Sequence, residues 1–251
     1  MTTMSDFSGF RVDVHTDDGV LDCHVFQPSG VGPWRAVIVY MDAFGIRPNL
    51  ASMARRLADH GYAVILPNLY YRTGAFPPFD PVQVAAGGAE RERFSAMIRS
   101  IDAPMVMRDT AAVLAQVDRM PGVRPGTVGA VGYCMGGGYA LSAAGTFPDR
   151  VAAAASFHGG SLATDKPHSP HLLAPRMRAE VYVGVAEFDQ SFGADQLRRL
   201  DAALTEAGVR HTIEVYAGAK HGFAVTGHLV YDRDASERHW LRLVDLLRRT
   251  L

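Results

Sequence analysis

The stretch Val128-Gly129-Ala130-Val131-Gly132-Tyr133-Cys134-Met135-Gly136-Gly137-Gly138 constrains this chain more than any other. A short apolar run ends in Gly-x-Cys-x-Gly, and a helix-forming segment, Tyr139-Ala140-Leu141-Ser142-Ala143-Ala144, follows at once. This is the pattern of a nucleophile elbow, a strand-to-helix turn so tight that its central residue is strained, with cysteine where serine is usual. Gly132 and Gly136 leave room for close approach of neighbouring backbone. Such a turn lifts Cys134 onto the top of a sheet, and the free N–H groups of the following helix favour its thiolate. A plain tight connection around an inert buried cysteine would read the same way in isolation.

The rest of the chain alternates strand and helix patterns. Phe10–His15 and Leu21–Phe26 alternate apolar and polar residues around Asp17-Asp18-Gly19, which predicts an antiparallel hairpin. The runs 36–41, 63–67, 151–157 and 180–185 are continuously apolar or nearly so, as strands covered on both faces are. A last strand is expected over 212–216. Helices are expected around 53–58, 90–94, 105–120, 195–207 and 236–251. This order predicts an α/β fold: one domain over residues 1–251, with a mostly parallel, doubly wound sheet that begins in a hairpin. Residues 76–88, rich in Pro and Gly, read as a loop, and 76–99 as a candidate lid.

Composition excludes several classes. The chain of 251 residues carries a net charge of -1, so nothing electrostatic favours nucleic acid or an anionic membrane. No apolar run reaches the length of a membrane span, and Met1–Asp6 lacks the pattern of an export signal. The two cysteines, Cys23 in the hairpin and Cys134, read as reduced thiols in a cytoplasmic protein. No metal-ligand spacing and no phosphate-binding glycine loop is present, so neither metal nor cofactor is expected.

A thiol nucleophile needs a base, and the base needs an orienting acid. In this architecture they follow the nucleophile in the order acid, then histidine. Asp189 follows the 180–185 strand, and His221 follows the last strand, both on the edge expected to carry the elbow. Glu187 and Asp195 compete for the acid role. The oxyanion hole is expected from the backbone N–H groups of Met135 and Ala43.

These residues resemble the dienelactone hydrolase family of the α/β-hydrolase superfamily. The resemblance is carried by Gly132-Tyr133-Cys134-Met135-Gly136-Gly137, Asp42-Ala43-Phe44-Gly45, Pro67-Asn68-Leu69-Tyr70, Asp189 and Lys220-His221-Gly222-Phe223. It implies an α/β-hydrolase fold and a Cys-His-Asp triad that opens a small-molecule ester or lactone through an acyl-thioester. It also implies a thiol-modulating acid, here Asp42 where the family has Glu. Two arginines hold the substrate carboxylate in the family. Arg72 matches the first, and the second position is Val225. Tyr70, His158 and Phe223 are further candidates for the substrate-binding wall, although core packing accounts for them equally. Two other readings stay open: a non-catalytic binder on the same fold, and an esterase or thioesterase of another pathway. The oligomeric state is not legible.

Overall fold

A computed structural model of the chain describes residues 9–251. The segment Met1–Asp6, read as lacking an export signal, lies outside the described residues. Two strands, β1 (Phe10–Thr16) and β2 (Gly19–Phe26), form the expected hairpin and pair antiparallel. Strands β3 (Trp34–Tyr40), β4 (Tyr62–Pro67), β5 (Val123–Tyr133), β6 (Val151–Phe157), β7 (Glu180–Phe188) and β8 (His211–Lys220) complete an eight-stranded sheet. The order is β1-β2-β4-β3-β5-β6-β7-β8. All pairs from β4 to β8 are parallel, and β2 joins β4 antiparallel.

Seven helices flank the sheet: α1 (Pro48–Asp59), α2 (Pro81–Ala86), α3 (Gly88–Arg99), α4 (Ala103–Val117), α5 (Met135–Thr146), α6 (Ala194–Glu206) and α7 (Arg233–Thr250). Helix α1 buries Leu50, Met53, Ala54 and Leu57, the apolar stripe that its sequence spacing dictates. It meets α7 through Arg56, which forks onto Glu237 at 2.7 and 2.6 Å and stacks 4.6 Å over Trp240. Helix α5 packs against β3, β5 and β6 and against α4. The central strands β3 and β4 are almost wholly buried, which is why they read as unbroken apolar runs.

The segment 76–88, read as a loop, contains a short helix. Asp80 caps it by accepting from the N–H groups of Val82 at 2.8 Å and Gln83 at 3.4 Å, and Pro81 starts it with its φ already helical. Helix α3 buries none of its residues completely. Within 76–99 the buried residues are Phe79 and Val84, which anchor the segment ahead of α3.

Candidate active site

The elbow forms where β5 meets α5. Cys134 occupies the turn with φ 56° and ψ -121°, a conformation a non-glycine residue adopts only when its surroundings force it. The force comes from packing. A Cβ on Gly132 would stand 1.9 Å from the carbonyl oxygen of Gly136, and one on Gly136 would stand 2.4 Å from that of Tyr40. Only bare backbone lets strand and helix approach this closely. Helix α5 begins at Met135, so its first amides have no partner within the helix.

Two later loops bring partners to the sulfur. His221, just past β8, places Nε2 3.0 Å from Cys134 Sγ. Its Nδ1 lies 2.7 Å from Asp189 Oδ2, past the end of β7. The Asp189 side chain is 2 % exposed and that of His221 31 %. Burial opposes charge on the ring, but the hydrogen bonds to Asp189 and Cys134 outweigh it and push the His221 pKa up to about 10. Burial likewise opposes the Asp189 carboxylate, and the bonds from His221 and Ser191 hold its pKa below the usual carboxylate range. The competing acids are elsewhere engaged: Glu187 accepts from the N–H of Gly218 at 2.6 Å, and Asp195 pairs with Arg198.

Sequence reasoning missed Ser191. Its hydroxyl donates to Asp189 Oδ1 at 2.6 Å, and its oxygen lies 3.1 Å from His221 Nδ1. The Ser191 N–H also bonds Asp189 Oδ1, at 2.8 Å. The spacing Asp-x-Ser is an Asx-turn signal and could have pointed to it.

Asp42 finds its partners in Arg47, Phe44 and His228. It is fully buried, and its carboxylate faces Arg47, with bonds of 2.6 and 2.7 Å, and the Phe44 N–H at 3.0 Å. His228 Nε2 lies 3.2 Å from Asp42 Oδ2 and 3.1 Å from Arg47. Burial resists the charge, but His228 and Arg47 hold the carboxyl far below its ordinary pKa. With its oxygens engaged in this way, Asp42 makes no hydrogen bond to Cys134 among the described residues. Opposite charges five apart in one loop hinted at Arg47, but no pattern marked His228.

The residues expected to line the substrate wall all have contacts within the chain. Arg72 donates to both oxygens of Asp109, at 2.9 and 2.7 Å, and to Asp18 at 2.7 and 3.0 Å. This grip ties the 71–73 turn to α4 and to the β1–β2 turn, and occupies both bidentate edges of the guanidinium. Tyr70 is fully buried, and its hydroxyl donates to the Ala43 carbonyl at 3.0 Å and touches Met135 Sδ at 3.7 Å. It holds the backbone at Ala43 and the side chain of Met135, the two residues expected to form the oxyanion hole. Phe223 is fully buried and stacks 4.7 Å from Tyr216. His158, 1 % exposed at φ 40°, sets its ring 5.3 Å from those of His221 and Phe223. Its ring nitrogens have no hydrogen-bond partner among the described residues, and burial followed by nearby His221 holds the ring neutral. These aromatic groups support the site from behind, because strand-end apolar rings close onto the core.

Among the described residues no cluster of His, Cys, Asp and Glu could hold a metal, and no helix is long and apolar enough to cross a membrane.

The mostly parallel sheet, its antiparallel start and the strained cysteine at the strand–helix turn define an α/β-hydrolase fold. Within that class the chain belongs to the dienelactone hydrolase family, whose model matches residues 21–251. Among its relatives is a Synechocystis protein named "Putative carboxymethylenebutenolidase", 27 % identical over 233 residues, covering 91 % of each chain. Another is a Bradyrhizobium protein named "Probable 2-oxo-3-(5-oxofuran-2-ylidene)propanoate lactonase", 25 % identical over 94 % of this chain and 92 % of that one. In fold, the chain is similar to a solved structure described as a "Putative Dienelactone Hydrolase" from Klebsiella pneumoniae. The TM-score is 0.82 at 23 % identity, over 95 % of this chain and 97 % of that one.

Proposed function

We propose that this hydrolase cleaves a small-molecule carboxylic ester or lactone with Cys134 as nucleophile, His221 as base and Asp189 as orienting acid. The observation that carries the reading is the unbroken line from Asp189 through His221 to the sulfur, at 2.7 and 3.0 Å. An imidazolium at that distance is the counter-ion a thiolate needs. Asp189 and Ser191 together fix the ring so that Nε2 faces the sulfur.

In the first half-reaction the sulfur attacks the carbonyl carbon, and His221 holds the thiol proton. The carbonyl oxygen becomes an oxyanion, stabilised by the N–H groups of Met135 and Ala43. Collapse breaks the carbon–oxygen bond, and the leaving oxygen takes the proton from His221. In a lactone that oxygen stays tethered to the acyl chain. In the second half-reaction His221 deprotonates a water that attacks the thioester. The acid is released and the thiol restored. Relatives named for a butenolide and a furan-ylidene lactone support lactones within this range. Two free cysteines, one of them the nucleophile, suit a reducing compartment such as the cytoplasm.

The test is turnover of activated esters and lactones by Cys134→Ala and His221→Ala. Each variant is expected to lose roughly a thousandfold or more in kcat/KM. Wild-type rates in Cys134→Ala would remove the assignment.

A further inference from the structure

The charges around the site are already matched. Arg47, in the same loop as Ala43, is held by both oxygens of Asp42. Arg72 is held by Asp109 and Asp18. Arg93, on α3, donates to both oxygens of Glu90 at 2.7 and 3.0 Å. Val225, four residues past His221, is fully buried and apolar. Lys220 is exposed at the last position of β8, where strand alternation turns it away from buried Ala219 and toward solvent. An anionic substrate would have to break an existing buried or half-buried ion pair to gain a guanidinium, which costs more than the new contact returns.

The same loop opens onto aromatic surface. A line of rings runs from Tyr70 to Phe76 at 5.7 Å, to Phe79 at 5.5 Å, to Phe94 at 5.2 Å, and to Phe44 at 4.7 Å. Phe44 follows the oxyanion residue Ala43 directly and meets the His228 ring at 5.0 Å. Phe76 lies over Gly45, where a Cβ would stand 3.3 Å from its ring. Phe44, Phe76 and Phe94 are each only half-buried. Phe44 and Phe94 adjoin, Phe76 joins them through buried Phe79, and the three half-buried rings leave apolar area beside the Ala43 loop for a ligand to cover.

We infer that the site takes an uncharged ester or lactone whose aryl or bulky apolar group rests on Phe44, Phe76 and Phe94, and that it discriminates against a substrate carboxylate. The inference rests on the hydrolase reading above and uses the same bond changes: an ester and water give an acid and an alcohol.

Three 4-nitrophenyl esters with one leaving group test it: the butyrate, the phenylacetate and the hemisuccinate. The wild type is expected to show kcat/KM at least tenfold higher for butyrate than for hemisuccinate, and highest for phenylacetate. Phe94→Ala is expected to lower kcat/KM for phenylacetate about fivefold, mainly through KM, with Phe94→Leu recovering most of it. Phe94→Arg is expected to narrow the butyrate-to-hemisuccinate ratio. Hemisuccinate turned over as fast as butyrate, or phenylacetate kinetics unchanged in both Phe94→Ala and Phe44→Ala, would overturn the substrate class alone. These comparisons use only the rate lost in Cys134→Ala. A wild type inert toward all three esters and toward activated lactones would instead remove the hydrolase reading, and this inference with it.

Discussion

Cys134, His221 and Asp189 would be inert as isolated side chains; their effect comes from what immobilises them. Ser191 fills the second oxygen of Asp189 and flanks the imidazole, so the ring has one orientation. Ser191→Ala is expected to lower kcat about tenfold with KM little changed, and to flatten the pH dependence of Cys134 alkylation by iodoacetamide. Both follow from a looser, less positively poised ring. Tyr70 acts on the other side of the reacting atom. Removing its hydroxyl frees the Ala43 carbonyl, a loss of about 1 kcal/mol for one hydrogen bond. Tyr70→Phe is therefore expected to cut kcat several-fold while the alkylation rate of Cys134 stays near that of the wild type. Equal losses in both would place Tyr70 in the scaffold only. Cys134 and His221 stood out because a cysteine in an elbow and a histidine past the last strand follow rules of order. Ser191 and Tyr70 act through contacts two to sixty-five residues away in sequence, and no local spacing distinguishes them from ordinary turn and core residues.

At the scale of elements, the elbow shows how little tolerance a strained turn has. Gly132→Ala would drive a methyl into the Gly136 carbonyl, so urea unfolding is expected to show a loss of about 3 kcal/mol or more, or no folded protein. Gly138, six residues past Gly132 and within α5, meets only Pro170 and Leu162 side chains, at 3.7 and 3.8 Å, and has ordinary helical φ. Gly138→Ala is therefore expected to stabilise by about 0.5–1 kcal/mol in the same assay. Two glycines of one motif thus differ in sign, and the sequence presents them identically. The elements themselves were largely readable. The hairpin, the buried parallel strands and the long helices announced themselves by periodicity. Helix α2 did not, because its six residues are too few to show a period. The Asp80–Pro81 start was the signal available.

Across the whole molecule, the hydrogen-bonded trio of Asp42, Arg47 and His228 joins the loop bearing Ala43 to the loop that follows His221. Asn49 adds a bond to Thr226 at 3.2 Å between the same two segments. This linkage has a definite pH sign. The folded pKa of Asp42 is depressed below the roughly 3.9 of an unfolded aspartate, so its stabilisation is complete above about pH 5 and is lost as acid protonates it. Asp42→Asn leaves Arg47 half-buried without a counter-ion and is expected to cost about 3 kcal/mol at pH 7. The gap from wild type should shrink as the pH falls below 4. A gap independent of pH would mean that the carboxylate charge is not what Arg47 requires.

Sequence alone determined the sheet's parallel bias and the glycine-flanked elbow around Cys134. Each rests on rules of local spacing and chirality that any chain obeys. Tertiary structure decided the distant partners of the charged groups, Asp109 and Asp18 for Arg72 and His228 for Asp42. Arg72 and Asp42 both aligned with substrate-handling or thiol-tuning positions, yet each was claimed by an opposite charge that folding brought near. A buried charge takes the nearest adequate counter-ion, and which one is nearest depends on how the loops pack, not on their order in the chain.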